Sequence, residues 1–161
     1  MKFNRYSQTI KFVLTTILAI VGLIIFILTG GTLLKALQVF LVFFVVKKIA
    51  NFAYHRWLAH NYITPGPIGK FVLLWSIVAS CLVKPISYTI GHRMHHRFSD
   101  TENDPHSTKL GFWNFLIGNF NSITSVRVPI KDLIRKKEIV FVDKHYYLLY
   151  LLNLVVLYLI D

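Results

Sequence analysis

Two long apolar runs near the start of the chain indicate a pair of membrane-spanning helices. Residues 12–28 contain no charged residue, and a bilayer core takes about 20 apolar residues of helix, with a range of roughly 17 to 25. Residues 32–46 form a second run that Lys35 and Gln38 interrupt, and Gly30 and Gly31 favour a tight connection before it. The pattern predicts a transmembrane helical hairpin. A cleavable signal peptide is the rival interpretation, but no Ala-x-Ala-like site follows the first run.

The rest of the chain combines polar stretches with two further apolar segments. Residues 71–83 form an apolar run without a charged residue, and runs of about 10 to 14 residues are more typical of interfacial or buried helices than of spanning ones. Residues 47–145 are otherwise polar and are predicted to form a cytosolic cap, with the interfacial helix 71–83 on the membrane or packed beneath it. A third transmembrane helix is predicted to start at 146 and to run to 160. We therefore predict an all-α integral membrane protein with a single domain over 1–161.

Charge gives this arrangement an orientation. The 161-residue chain is 55% hydrophobic, and 18 Lys and Arg residues against 7 Asp and Glu give a formal net charge of +11. All the basic residues except Lys35 fall on one side of the predicted membrane, which the positive-inside rule assigns to the cytoplasm. Anionic lipid headgroups explain this charge without a nucleic acid partner. We expect a multi-pass protein whose N-terminus and histidines are cytoplasmic, and the single cysteine, Cys81, excludes an intramolecular disulfide.

Five of the seven histidines fall within two short patterns. On an α-helix, the side chains of His92, His95 and His96 lie within an arc of about 100°, so three imidazoles can point at one place. His55 and His60 are five residues apart, which separates them by about 140° on an ideal helix. This pair therefore needs a local distortion of the helix, or it flanks a centre from two sides.

Clustered histidines favour a metal site over the simpler interpretation that they are polar residues at a membrane surface. Imidazole suits zinc, copper, iron and nickel. The sequence has neither a cysteine cluster for structural zinc nor an HExxH pattern, so iron with oxygen chemistry is the remaining good candidate. Asp100, Glu102 and Asp104 are candidates for carboxylates that hold the outer ring nitrogen of a ligating histidine. The alternative for these three is a solvated acidic turn that ends at Pro105.

These residues carry a resemblance to a known family. The segments HRWLAH, GHRMHHRFSDTENDPHS and GFW are similar to the membrane fatty acid desaturases, close to their stearoyl-type, delta-9-like branch, and the match runs from about Leu33 to Asp161. The resemblance implies four transmembrane helices and a cytosolic cap in which three histidine boxes hold two iron ions. It also implies an oxidoreductase of lipid metabolism that uses O₂ to insert a double bond into an acyl chain. In this sequence, His55 and His60 match the first box, and the second box is matched by His92, His95 and His96.

The resemblance further implies partners and a missing part. The substrate would be an acyl lipid, acyl-CoA or acyl-carrier, and electrons would come from a donor such as cytochrome b5 or ferredoxin. A third histidine box belongs after a fourth helix, whereas this chain ends within the predicted third. The chain is therefore expected to be an N-terminal fragment, one half of a split enzyme whose third box a second polypeptide supplies, or an inactive copy that acts as a membrane partner. A hydroxylase of fatty acids or alkanes with the same histidine boxes is the alternative activity.

Overall fold

The computed structural model describes residues 5–101, 103–112 and 129–160, and every regular element within these ranges is helical. A π-helix, Ala53–Ala59, continues the second α-helix directly, and a short 3₁₀ turn lies at Thr108–Leu110. The prediction of an all-α protein is therefore confirmed. In chain order the α-helices are α1 Arg5–Leu28, α2 Leu33–Phe52, α3 Pro67–Ala79, α4 Pro85–Phe98, α5 Lys131–Ile134 and α6 Lys137–Ile160.

The chain divides into two compact units. The first comprises Met1–Phe40 and Met94–Arg127, and the second comprises Leu41–Arg93 and Val128–Asp161. In the first unit, α1 ends at a turn in which Gly30 adopts a φ of +78°, a conformation that favours glycine. The ring of Phe26 fills the space that a side chain at Gly31 would need. The hydroxyl of Thr32 then accepts from the backbone N–H of Lys35 at 3.3 Å, which caps the start of α2.

The second unit has a hydrophobic core in which the π-helix, α3, α5 and α6 all take part. Helix α3 packs against α6 and against the π-helix. The Tyr146 hydroxyl of α6 donates to the Ile77 carbonyl of α3 at 3.3 Å, which satisfies this polar group inside the apolar interior. The largest fully buried side chains of this core are Trp57, Tyr54, Tyr146, Leu58, Ile77, Leu133 and Ile139.

Polar contacts fix α3 and α4 relative to α6 within the second unit. The Asp143 carboxylate of α6 accepts from the backbone N–H of Ile86 at 2.9 Å. The first N–H groups of a helix have no partner inside the helix, so this carboxylate caps the start of α4. Helix α3 is joined to α6 at two points, by the Lys70–Glu138 ion pair at 2.9 Å and by Trp75–Asn153 at 3.1 Å. The helix that carries the second histidine pattern therefore starts at a fixed point on α6.

One helix in the described part of the chain is long and apolar enough to cross a membrane, over Lys137–Leu157. Two shorter apolar helical stretches are Thr16–Leu28 and Pro67–Ala79. In α1 and α2 most large apolar side chains whose positions are described are exposed, with Leu33 at 86% and Leu34 at 64%. Large exposed apolar surfaces mark sites that contact lipid or another protein. The multi-pass hairpin remains a prediction.

Some predicted boundaries differ from those of the structure. The second helix continues past residue 46, as the good helix formers after it predict, and α2 extends to Phe52. The helix predicted for 71–83 begins earlier, at Pro67, since proline suits the first helical position, and it stops at Ala79 shortly before Cys81, whose φ is +46°. The helix predicted from 146 begins at Lys137. The segment 137–145 contains charged residues, which are compatible with a helix, and it contains neither Gly nor Pro.

Candidate metal centre

The first histidine pattern lies on the π-helix and at its end, since His55 is within the helix and His60 directly follows it. In this form of helix the backbone hydrogen bonds join residues five apart instead of four, and the His60 N–H donates to the His55 carbonyl at 3.2 Å. Residues five apart are thereby stacked one turn above the other, and the ring centres of His55 and His60 are 4.7 Å apart. Of the two arrangements that the sequence left open for this pair, the structure has the local distortion.

The buried side of the π-helix explains why the histidines face away from the core. Tyr54, Trp57 and Leu58 are almost fully buried in the second unit, whereas His55 and His60 are only partly buried. The Tyr54 hydroxyl donates to the Val83 carbonyl, in the loop that precedes α4. This contact ties the π-helix to the start of the helix that carries the second pattern.

His92 of α4 completes a group of three imidazoles in the second unit. Its ring centre lies 4.8 Å from that of His55 and 5.2 Å from that of His60. The Nε2 atoms of His60 and His92 are 3.2 Å apart, and one ring nitrogen from each of the three histidines lies within 4.8 Å of the others. On its other side, His92 stacks on the ring of Tyr88 at 5.6 Å between centres. Three imidazoles from two segments therefore converge on one point.

The distances fit a shared metal ion. Two imidazole nitrogens that each lie about 2.1 Å from one ion are about 3.0 to 3.4 Å apart at the usual coordination angles, and the His60–His92 separation falls in this range. Imidazole nitrogens are ligands for iron as well as zinc and copper. His96 follows His92 by one turn on the uninterrupted helix α4, so it occupies the same helix face. The three imidazoles of the second unit are compatible with a metal site.

His95 is held differently from the other histidines of its pattern. Its Nδ1 atom lies 2.9 Å and 3.0 Å from the two carboxylate oxygens of Asp104. The sequence predicts that His92, His95 and His96 all point at one place, but the Nδ1 side of His95 faces this carboxylate. A histidine whose Nδ1–H is held by a carboxylate presents Nε2 as its ligand atom.

Asp104 is better anchored than Asp100, the other predicted outer carboxylate that the structure describes. It is fully buried and also accepts from the backbone N–H groups of Asp100 at 2.9 Å and His106 at 2.8 Å. Burial alone would raise the pKa of the Asp104 carboxyl, but these two bonds and the one with His95 outweigh it, so that the pKa is lowered. Asp100 itself is exposed and takes part through its backbone, and Glu102 lies outside the described residues.

Four residues near the centre were not predicted as functional from the sequence. Tyr54 and Tyr88 pack ring to ring at 4.5 Å, and burial raises the pKa of Tyr54 to about 12 and also raises that of Tyr88, so both hydroxyls stay neutral at physiological pH. Arg93, next to His92, forms an ion pair with Asp132 at 2.6 Å. The position of Arg93 inside the second histidine pattern could have indicated its role. No feature of the sequence indicated a role for Asp132.

Comparison with known proteins gives a consistent set of relatives. The chain is 32% identical over 117 residues to "Delta-9 acyl-lipid desaturase 2" of Arabidopsis thaliana. The aligned region covers 68% of this chain and 38% of that protein. It is 34% identical over 112 residues to "sn-1 stearoyl-lipid 9-desaturase" of Anabaena variabilis, covering 66% and 41%. A third relative, "Delta-9 desaturase-like 3 protein" of Arabidopsis thaliana, is 36% identical over 63 residues, covering 39% and 21%. No family profile matches the chain. The chain thus spans about two fifths of the length of the first two relatives.

Proposed function

Because this chain belongs to a delta-9 desaturase-like family, we propose that it provides histidine-bearing helices of a fatty acid desaturase. Such an oxidoreductase uses O₂ to introduce a double bond into an acyl chain. The observation that carries the proposal is the convergence of His55, His60 and His92 on one point, with ring nitrogens within 4.8 Å. The relatives are named desaturases, and this favours desaturation over hydroxylation.

The histidines are proposed to hold iron. His55, His60 and His92 would bind through the ring nitrogens that face one another, and His95, through Nε2, and His96 are proposed as further ligands. Iron supplies, together with O₂ and two electrons, an oxidant strong enough to break an unactivated C–H bond, which no side chain can do. A second iron ion, a third set of histidines and an electron donor of the cytochrome b5 or ferredoxin type remain predictions from the resemblance.

The residues around the histidines have separate tasks in this proposal. Asp104 holds the Nδ1 side of His95 and thereby fixes which nitrogen faces outward. The ring of Tyr88 stacks on His92 and restricts its rotation. The neutral Tyr54 hydroxyl joins the π-helix to the loop before α4. Asp100 supports Asp104 through its backbone N–H, and the role of Glu102 remains a prediction.

The apolar surfaces support a location at a membrane, where an acyl chain would be found. We propose that α6 spans the bilayer over Lys137–Leu157, with α1 and α2 as the predicted hairpin. The substrate would be an acyl lipid, as the names of two relatives state for those proteins, or another acyl carrier. A cytoplasmic position of the histidines remains a prediction from the positive-inside rule.

Metal content and lipid composition together test the function. The protein is expressed from its full reading frame in cells, and the fatty acids of the cell lipids are measured by gas chromatography against a His60→Ala variant. We expect new unsaturated fatty acids with the wild type, none with the variant, and iron in the detergent-purified wild type. An unchanged fatty acid profile from an iron-loaded wild type would contradict the proposal, and a hydroxylated product would select the alternative activity.

A further inference from the structure

The guanidinium group of Arg93 has a complete set of hydrogen-bond partners. Its Nε donates to the Ala59 carbonyl at 3.0 Å, and Nη2 donates to the Leu58 carbonyl at 3.0 Å. The two Asp132 oxygens accept from Nη1 at 2.9 Å and Nη2 at 2.6 Å, and the Pro129 carbonyl accepts from Nη1 at 2.6 Å. An arginine side chain has five N–H donors, so each donor is matched by one acceptor. The side chain is only 19% exposed.

Two of these acceptors belong to the end of the π-helix. The last carbonyl groups of a helix have no partner inside it, and here the backbone satisfies three of the final five. The carbonyls of His55, Trp57 and Arg56 accept from the N–H groups of His60, Asn61 and Tyr62 at 3.2, 3.2 and 2.8 Å. The remaining two, Leu58 and Ala59, accept from Arg93. Arg93 therefore completes the C-terminal cap of the π-helix.

The same network also holds the residue that follows His60. Asn61 has a φ of +54° and donates from Nδ2 to Asp132 at 2.9 Å. Its Oδ1 accepts from the Lys136 ammonium at 3.1 Å. His60 is thus enclosed between two residues that the network binds, Ala59 through its carbonyl and Asn61 through its side chain. The backbone on both sides of this histidine is fixed from outside the helix.

We propose that Arg93, together with Asp132, is a positioning residue that keeps the end of the π-helix in the form that places His60 opposite His92. The proposal rests on the proposed function in so far as it concerns a metal. The Arg93 guanidinium contacts the carbonyls of Leu58 and Ala59 and the Asp132 carboxylate. Arg93 joins the helix that carries His92 to the carbonyl of Ala59, the residue before His60. The position of His60 is thereby coupled to that of His92.

The geometry requires arginine at this position. The planar guanidinium reaches two carbonyls of the π-helix and both oxygens of Asp132 at once, whereas a lysine ammonium is a compact charge with three donors. With Arg93→Lys, at least two of the five acceptors lose their partner. A π-helical turn is a rare form, and loss of its terminal partners would let the end fray or return to α-helical bonding.

The test uses the detergent-purified protein, with one arm free of metal and one with Co²⁺. In the metal-free arm, hydrogen exchange of the His60, Asn61 and Tyr62 amides is followed by mass spectrometry. We expect Arg93→Lys to raise these rates about tenfold or more. In the second arm, we expect Co²⁺ to bind about 10- to 100-fold more weakly and with an altered visible absorption spectrum.

Asp132→Asn provides a second variant, and Glu138→Gln is its matched control. Both changes replace one carboxylate of an ion pair in the second unit by an amide, but Glu138 pairs with Lys70 and Asp132 with Arg93. We expect Asp132→Asn to shift exchange and spectrum in the same direction as Arg93→Lys, and Glu138→Gln to leave both as in the wild type.

The two arms separate the two hypotheses. If the wild type does not bind Co²⁺, the proposed function fails, and the exchange rates alone decide the role of Arg93. If the wild type binds Co²⁺ while Arg93→Lys and Asp132→Asn leave the spectrum and the exchange rates unchanged, the positioning role is overturned and the proposed function stands. Equal changes in Glu138→Gln would also overturn it, because a general loss of stability would then explain the result.

Discussion

His92 and His95 lie three residues apart on one helix, yet their surroundings differ. His92 lies among rings, with His55 and His60 at 4.8 and 5.2 Å and Tyr88 stacked at 5.6 Å. His95 lies against the fully buried carboxylate of Asp104, at 2.9 Å. The first histidine belongs to the second unit of the fold and the other to the first unit.

In the proposed centre, these surroundings would prepare an imidazole for a metal in two different ways. Around His92, ring nitrogens face one another at a distance that suits a shared cation. At His95, a carboxylate fixes the orientation of the ring and the position of its hydrogen before any cation arrives. The first arrangement gathers ligand atoms, and the second adjusts the strength of one ligand. Removing a member of each should therefore have effects of different size.

The largest effect is expected at the group around His92. His92→Ala removes the imidazole that joins the π-helix to α4, so Co²⁺ bound per chain should fall to about a tenth of the wild-type value or less, measured by elemental analysis after dialysis. His145→Ala is the control, because that histidine packs on Phe141 away from the group. Undiminished Co²⁺ in His92→Ala would mean that the convergence of the three imidazoles is not a metal site.

A smaller effect is expected at Asp104. Asp104→Asn keeps the size of the side chain but removes the charge that His95 faces, and loss of such a partner typically weakens metal binding about 10- to 100-fold. Calorimetric titration with Co²⁺ measures this. Because the carboxylate acts through the imidazole, the double variant with His95→Ala should bind no more weakly than His95→Ala alone. Additive losses would show that Asp104 acts independently.

Asp132 offers a contrast with Asp104, since its carboxylate faces an arginine that stays charged at every accessible pH. The hydrogen bonds with Arg93 lower the pKa of Asp132 well below its usual range. The Asp132 carboxyl therefore binds a proton more readily in the unfolded chain than in the folded protein. The stabilisation that the ionised carboxylate provides above a pH of about 4 is lost as the pH falls through the pKa of the folded state.

Thermal unfolding of wild type and Asp132→Asn at a series of pH values tests this contrast. The wild type should be more stable by about 1 to 3 kcal/mol, and the difference should be constant above about pH 5 and shrink in more acidic solution. A difference that grows with acidity would contradict the assigned direction of the pKa shift.

The smallest effect is expected at Tyr88. Tyr88→Phe keeps the ring that stacks on His92, so Co²⁺ affinity should stay close to the wild-type value, whereas Tyr88→Ala removes the ring and should cost about 0.5 to 1.5 kcal/mol of binding free energy. The same titration measures both. If the two variants are equally weak, the hydroxyl matters and stacking does not explain the position of His92.

The sequence located most helices of the described residues and nominated the histidines, but it did not give their arrangement. Apolar runs and helix-breaking residues located α1, α2 and α3, although α1 begins at Arg5 and not at 12, and the histidine patterns indicated the family. The close approach of His55 and His60 required a π-helix, which a period of 3.6 residues does not reveal. The helical arc grouped His95 with His92, yet in the structure the Nδ1 atom of the His95 ring contacts the carboxylate of Asp104.

Other features could not be predicted because they depend on distant contacts. Arg93 and Asp132 are 39 positions apart, and Asp132 lies in a basic stretch that gave no sign of pairing. Asp143 caps α4 from 57 positions away. Among the three acidic candidates, nothing in the sequence distinguished Asp104, which is buried, from Asp100, which is exposed. Such choices follow from how the helices pack.

The π-helix has a consequence at the level of the gene. A π-helical turn holds more residues than an α-helical turn, so a single inserted codon in a regular helix is enough to produce one. Loss of one codon, for example that of the exposed Arg56, would allow α-helical bonding and leave the residues after it near their present direction, because the wider turn had taken up the extra residue. A one-residue deletion in this short segment should therefore be tolerated better than one in a regular helix such as α4.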